Sequence, residues 1–368
     1  MKSISINKKS DNMQKIFIVC YSLLYLRNIL GHTYLESGIY RIISFLCPLV
    51  LLFKLLIAKR STRENFFVFI LAVIGVAVYM ETKSYLVLLN FVIIFSSQGI
   101  NRKKLFNILV VIGVITSILV VFLSIIGAIE NKEVMGSLAY GFTNPNQAMS
   151  VISISVIMII CVYVKDINIM QWYFLCLFTL GWAILTESRA VYLVLVVMFL
   201  LNTIYKFKKQ KYFHKIMWEY VFLIGLIFFL FLIFKFEDNI FLAAINNIMT
   251  GRLLQANYYY QLYDIKWFGN FIPELNGENH WPWYTIDCSY AYLFIVCGWI
   301  YGILHLYFIF RAIRIYRKKE DVGAIFALLL VSVYMLMENT AIWVIYCPLL
   351  MLLNVREPKQ SSIGRFEQ

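Results

Sequence analysis

Two arginines of this sequence, Arg189 and Arg252, could together bind a strongly charged anion. A guanidinium stays charged at every physiological pH and presents a planar set of N–H donors, so two of them can hold a phosphate or diphosphate without a metal ion. Either arginine alone also has ordinary structural uses, such as an ion pair with a nearby carboxylate or a position at the membrane surface. We predict that both side chains line one anion-binding site.

Three further residues, Asp287, His280 and Glu338, could move a proton. Asp287 ends a long polar segment just before an apolar run, His280 lies within that segment, and Glu338 separates two apolar runs. A carboxylate or an imidazole can take the proton of an attacking hydroxyl group. The structural alternatives are a helix cap for either carboxylate and an exposed loop position for His280. We predict these three residues as the catalytic candidates.

The segment 141–146, with the sequence GFTNPN, contributes two amide side chains. Asn144 precedes a proline, which favours an extended or turn backbone, and Asn146 can cap the helix that follows. The functional alternative is that Asn144 and Asn146 face a cavity and bind hydroxyl or phosphate oxygens. We therefore include both asparagines among the predicted substrate-binding residues.

The composition indicates which elements must position these residues. The 368-residue chain is 61% hydrophobic and 14% charged, with a mean hydropathy of +0.76. Soluble globular domains are about 45–50% apolar and about 25% charged, so the composition excludes that class. We predict an all-α polytopic membrane protein, a single integral membrane domain over residues 1–368 with about 12 transmembrane helices. The predicted spans are 15–30, 38–58, 65–80, 84–100, 105–129, 147–164, 170–186, 190–205, 217–235, 288–310, 322–337 and 339–354.

Basic residues are distributed unevenly between the two sides of the predicted membrane. Most of the 33 lysines and arginines fall in alternate connecting segments, which places those segments and both termini in the cytoplasm. The basic runs 206–215 and 311–319 directly follow apolar spans, so they are topology signals that contact lipid headgroups. We predict a lipid bilayer as partner and no nucleic acid.

Cysteine and histidine spacing excludes several kinds of site. The 7 cysteines and 4 histidines are scattered singly and show none of the spacings of a metal site. We predict no disulfide, no metal ion and no cofactor.

Residues 236–287 form one large extracytoplasmic loop within the predicted domain. Loops of this length without structure or function of their own are uncommon. Apolar residues recur at helical spacing in 238–249 and 253–266, which predicts two short amphipathic helices that lie on the membrane and are separated at Gly251. The loop is rich in Tyr and Trp, including Trp267, and such rings either stack on sugars or lie at the membrane interface. We predict that the loop handles the substrate.

The order of these motifs resembles the Wzy-type family of polysaccharide repeat-unit polymerases, which make O-antigen, capsule and exopolysaccharide and are related to the O-antigen ligases. The resemblance extends over residues 65–354 and includes a glycine pair at Gly298 and Gly302. The matching stretches are 141–146, 188–190, 251–252, 287–290 and 338–339.

The resemblance implies a GT-C-like bundle and a metal-independent, inverting glycosyltransferase of the bacterial cytoplasmic membrane. Such an enzyme transfers a glycan from undecaprenyl pyrophosphate to a hydroxyl of a lipid-linked repeat unit on the outer face. Flippase and chain-length regulator proteins are the implied protein partners.

The resemblance also implies residue roles. Arg189 and Arg252 would hold the pyrophosphate, and Tyr290 belongs to the motif that Asp287 begins. We include Tyr290 and Trp267 among the predicted substrate-binding residues. Relatives place a histidine near the end of the long loop, where this chain has Asp287, with His280 upstream.

Two alternative functions fit the same hydropathy. A ligase would transfer the finished glycan to another acceptor, and a flippase would move lipid-linked oligosaccharide across the bilayer. A transporter is expected to show two related halves and discontinuous helices. The sequence shows no such related halves.

Overall fold

The computed structural model describes residues 2–35, 38–58, 60–134, 137–207, 212–235, 240–273 and 285–355. At 2–11, 190 and 207 the description covers the backbone only. Within these ranges the chain is almost entirely helical. The α-helices are α1 Lys2–Leu30, α2 Ile39–Ile57, α3 Thr62–Thr82, α4 Leu86–Ser96, α5 Arg102–Ile125, α6 Pro145–Tyr163, α7 Ile169–Leu185, α8 Arg189–Phe207, α9 Trp218–Phe234, α10 Ile240–Ile248, α11 Arg252–Leu262, α12 Ser289–Ile295, α13 Gly298–Lys318 and α14 Val322–Tyr334. Two short antiparallel strands, β1 Glu133–Val134 and β2 Ser137–Leu138, lie between α5 and α6.

The helices confirm the prediction of an all-α protein with apolar segments suited to a bilayer. Each predicted span from 15–30 to 217–235 coincides with one of the helices α1 to α9. By length and composition, α2, α3, α5 and α6 can cross a membrane, and α4, α7, α9, α14 and most of α8 are shorter apolar helices. Many large apolar side chains point outward, among them Phe45 and Phe53 of α2. Such an apolar exterior suits contact with lipid.

Ion pairs mark one end of the bundle. Arg102 at the start of α5 pairs with Asp321 before α14 at 2.6 Å, and Arg317 of α13 binds the buried carboxylate of Glu219 of α9 through two nitrogens. These residues belong to segments that the charge distribution assigns to the cytoplasm. The opposite end of the bundle is therefore the predicted outer end.

The predicted span 288–310 is wrong as a single helix. The helix stops after Ile295 and a new one starts at Gly298, with φ +87° at that glycine. The long loop occupies the break, since the side-chain amide of Asn270 donates to the carbonyl of Ile295 and its backbone N–H donates to that of Val296. A Cβ on Gly269 would lie within 1.9 Å of the Val296 carbonyl oxygen, so only glycine fits this close backbone approach.

The predicted span 339–354 is not an α-helix. It forms short 3₁₀ turns at Asn339–Ile342 and Pro348–Leu353 with irregular backbone between them. The side chain of Asn90 donates to the Ile342 carbonyl at 2.7 Å and accepts from the Val344 N–H at 2.7 Å, and the Tyr21 hydroxyl donates to the Val344 carbonyl. Irregular backbone at membrane depth needs such partners and a protein environment, and this segment is almost entirely buried.

The two amphipathic helices of the long loop are confirmed as α10 and α11, and Gly251 separates them with φ +83°. α10 exposes Ile240, Phe241 and Ile248, as expected of a helix on a membrane surface. The expectation of a surface position is wrong for α11. It packs against α9 and α12 and buries most of its first two turns, so α11 belongs to the bundle.

Candidate active site

Arg252 is the centre of a buried polar cluster at the predicted outer end of the bundle. Arg252 is the first residue of α11, and its side chain is only 8% exposed. Nε donates to the carbonyl of Met337 at 2.6 Å, and Nη1 donates to the hydroxyl of Thr250. Nη2 lies 3.2 Å from Oε1 of Glu338 and 3.7 Å from Oδ2 of Asp287. The structure therefore brings together three of the predicted site residues.

Hydrogen bonds between two segments position these carboxylates. Ser289 at the start of α12 donates its hydroxyl to the Glu338 carbonyl at 2.5 Å, and Asn339 donates its amide to the Ile286 carbonyl at 2.9 Å. The N–H of Asp287 donates to the side chain of Gln255 in α11 at 2.9 Å. These hydrogen bonds hold Asp287 and Glu338 beside α11.

One guanidinium faces two carboxylates, so the cluster has one more potential negative charge than positive charges. Burial raises the pKa of Glu338 to about 8, because desolvation outweighs the attraction of Arg252 and the charge of Asp287 acts in the same direction as desolvation. Burial also raises the pKa of Asp287, against the opposing effect of Arg252. At neutral pH the pair therefore retains a proton, as two carboxylates that share one site commonly do.

The two carboxylates differ in access. The side chain of Asp287 is 31% exposed, whereas that of Glu338 is 11% exposed. Asp287 is therefore the more exposed of the two carboxylates. Glu338 instead faces an internal cavity.

The cavity beside Glu338 is small, with ≈ 30 Å³ that the centres of water molecules can occupy. Asn146 lines it from α6, and His32 lines it from the turn after α1. Nε2 of His32 lies 3.0 Å from the hydroxyl of Tyr346, which also lines the cavity. Two side-chain oxygens of lining residues, Oδ1 of Asn28 and Oγ1 of Thr340, are buried and have no hydrogen-bond partner within the described ranges. Unpaired buried polar atoms of this kind can bind water or the hydroxyl groups of a ligand.

The two predicted asparagines have different positions. Asn146 lines the Glu338 cavity, as the functional interpretation predicted. The expectation that Asn146 caps α6 is wrong, because Asn144 is the capping residue and its Oδ1 accepts the N–H of Asn146 at 2.9 Å. Pro145 then occupies the first helical position, where its missing N–H costs nothing.

Arg189 is not part of the Arg252 cluster. It begins α8 on an exposed surface, and among the described residues no hydrogen bond or ion pair joins it to Arg252. Its neighbour Glu187 accepts a hydrogen bond from Ser137 of β2 at 2.7 Å. Of the two arginines predicted to line one anion-binding site, Arg252 therefore belongs to the cluster and Arg189 does not.

Of the remaining predicted residues, Trp267 and Tyr290 lie in different environments. Trp267 is 69% exposed on the loop beside the break between α12 and α13. Tyr290 is 2% exposed, and its hydroxyl donates to the Ser332 carbonyl, so this ring packs the core. His280 lies outside the described residues.

Sequence reasoning did not select His32, Tyr346 or Asn28 as site residues. Burial and the nearby charge of Arg27 lower the pKa of His32 to about 4, so its imidazole is neutral at physiological pH. A histidine just beyond the end of an apolar span was the available signal. Its partner Tyr346 lies far along the chain and could not be inferred from spacing.

The arrangement combines two carboxylates and a cavity. Asp287 is the more exposed carboxylate and has a raised pKa, and Glu338 is protonated at neutral pH. The cavity beside Glu338 contains polar atoms that have no partner among the described residues. These groups suit proton transfer to or from a hydroxyl group. Comparisons of the chain with protein-family models, with curated proteins and with solved structures gave no match.

Proposed function

We propose that this protein is a polytopic membrane glycosyltransferase, a polysaccharide repeat-unit polymerase. It would transfer an oligosaccharide from undecaprenyl pyrophosphate to a hydroxyl of a lipid-linked repeat unit at the outer face of the bacterial cytoplasmic membrane. The observation that carries the proposal is the meeting of Asp287, Glu338 and Arg252 at the predicted outer end of the bundle. The order of sequence motifs that resembles the Wzy-type family supports it independently.

The cluster supplies the acid–base part of such a transfer. The acceptor hydroxyl oxygen forms a bond to the anomeric carbon, while the bond from that carbon to the diphosphate oxygen breaks and the diphosphate leaves with the electron pair. Asp287 accepts the proton of the hydroxyl group. A base whose pKa lies closer to neutral than that of an ordinary carboxylate is suited to this step, and burial shifts Asp287 in that direction. Attack opposite the leaving group inverts the anomeric centre.

Arg252 and Glu338 act through Asp287 in this proposal. Arg252 binds Asp287 and Glu338 at the same time and so fixes the separation of the two carboxylates. Glu338 stays protonated near neutral pH and limits the negative charge beside the base. Both are positioning residues for the proton transfer.

The test is the glycan ladder of a host in which the gene is deleted and replaced by variants. Asp287→Asn keeps the shape of the side chain and removes the base, so chains longer than one repeat unit should fall by a factor of about 10²–10⁴. His280→Ala is the matched comparison and should weaken polymerisation at most. Equal amounts of protein in the membrane establish that the variants fold. Normal ladders from Asp287→Asn, or a stronger effect of His280→Ala, would remove the proposed base.

One observation favours a flippase as the second candidate. Helices α12 and α13 are separated by a break and residues 339–354 are non-helical, and discontinuous helices are typical of transporters. The same deletion distinguishes the functions. Loss of a polymerase leaves single repeat units on the acceptor outside the cell, loss of a flippase leaves none, and loss of a ligase leaves long chains that remain on the lipid carrier.

A further inference from the structure

A second hollow lies at the same end of the bundle, between the ends of α1 and α3 and the long loop. It has ≈ 880 Å³ of space between protein atoms, part of it open to solvent. Arg27 of α1 and Lys83 after α3 line it, together with Ser84, Tyr85 and Asn270. No acidic residue is among the described residues that line this hollow. The hollow is therefore positively charged on an outer face that is otherwise rich in carboxylates.

In the part of the chain that the structure describes, neither cation has a charged partner. Among the described residues, no ion pair involves Arg27 or Lys83, and Nε of Arg27 is buried without a hydrogen-bond partner. A buried N–H of a charged group that has lost its water and gained no partner is costly. An anion in the hollow would supply the missing acceptor.

The ordinary explanation of these residues is incomplete. Arg27 lies in the last turn of α1 and Lys83 follows the last turn of α3, where a cation interacts favourably with the helix dipole. That interaction accounts for the sign of the charge but not for an unpaired, buried Nε. It also does not explain why two such helix ends share one hollow.

The hollow adjoins the candidate active site. Tyr346 lines both the hollow and the cavity beside Glu338, and its hydroxyl is hydrogen-bonded to His32. The two spaces thus share one side chain as a common wall. His32 is neutral, so the cationic character of this region comes from Arg27 and Lys83.

We infer that Arg27 and Lys83 form the binding site for the diphosphate group of a lipid-linked substrate, in place of the predicted Arg189–Arg252 pair. Arg252 is occupied by two carboxylates, and among the described residues no hydrogen bond or ion pair joins Arg189 to it. The identification of the ligand as a prenyl diphosphate rests on the proposed function. The anionic nature of the ligand rests on the two unpaired cations alone.

The experiment measures the Kd of farnesyl diphosphate for the full-length protein in phosphatidylcholine nanodiscs. The double variant Arg27→Gln and Lys83→Asn should raise this Kd at least tenfold. Asn is chosen at position 83 because the residue there has φ +59°, which Asn tolerates. Lys132→Gln is the matched control, since Lys132 is an outer-face lysine already paired with Glu130 at 3.2 Å, and it should bind like the wild type.

Three comparisons identify the ligand. Farnesol, which lacks the diphosphate, should bind at least tenfold more weakly than farnesyl diphosphate, and inorganic pyrophosphate should compete with the latter. Phosphatidylglycerol in the nanodisc should leave the Kd within about threefold; displacement by this lipid would assign the hollow to a lipid headgroup and overturn the inference. Wild-type affinity in the double variant, or loss of affinity in Arg189→Gln instead, would also overturn it.

Asp287→Asn separates this inference from the proposed function. Asp287 does not line the hollow, so Asp287→Asn should bind farnesyl diphosphate with wild-type affinity. If Asp287→Asn gives normal glycan ladders while the double variant loses binding, the proposed base is wrong and the anion site stands. If Asp287→Asn abolishes the ladder while the double variant binds normally, the anion site is wrong and the base stands.

Discussion

Arg252 and Arg27 are arginines at helix ends on the same side of the bundle, and the fold uses them in opposite ways. Arg252 starts α11, where a positive charge is unfavourable because of the helix dipole, and two carboxylates compensate it. Arg27 ends α1, where a positive charge is favourable, and it has no carboxylate partner among the described residues. Residue type therefore does not distinguish a charge that holds the fold together from a charge that is available to a ligand. The surrounding partners do.

The largest expected effect of this difference is on stability. Arg252→Ala leaves the buried Glu338 and the half-buried Asp287 without their guanidinium, and removing one partner of a buried ion pair costs about 3–5 kcal/mol. We expect little folded Arg252→Ala protein in the membrane and a strongly lowered thermal unfolding midpoint in detergent. Arg252→Lys, which keeps the charge but loses the geometry of several donors, should lie between Ala and the wild type. An unfolding midpoint of Arg252→Ala equal to that of the wild type would show that the cluster contributes nothing to the fold.

The next effect is the pH dependence of stability. Glu338 has a pKa of about 8 in the folded protein and an ordinary value of 4.5 when unfolded, so the folded state binds the proton more tightly. The free energy of unfolding should therefore fall as the pH rises from about 4.5 to about 8. Thermal unfolding of the wild type and of Glu338→Gln across this range checks the sign. The variant should show a shallower decline, and parallel curves would contradict the assignment.

The smallest effect is expected at the hollow. Arg27→Gln and Lys83→Asn remove charges that have no partner among the described residues, so neither should lower the free energy of unfolding by more than about 0.5 kcal/mol. Thermal unfolding without added ligand is the measurement. A loss comparable to that of Arg252→Ala would mean that Arg27 is structural, and the contrast between the two arginines would disappear.

Local sequence features predicted most of the helices. Apolar runs located α1 to α9, and the break at Gly251 placed Arg252 at the start of α11. These predictions succeed because the length of an apolar run and the conformational freedom of glycine are properties of neighbouring residues. Selection of Asp287, Glu338 and Arg252 as polar residues at the ends of apolar segments needed no tertiary information either.

Tertiary structure decided how those residues are combined. Hydropathy predicted that 339–354 is buried in the membrane, but Asn90 and Tyr21, far away in the chain, allow its backbone to be irregular by binding its polar groups. The partners of the charged residues likewise come from distant parts of the chain. The sequence by itself determined that this is a helical membrane protein with polar residues at one end, because hydrophobicity is additive along the chain. Only the packing of distant segments decided that Arg252 meets two carboxylates and that Arg27 meets none among the described residues, because electrostatic partners depend on distances in space.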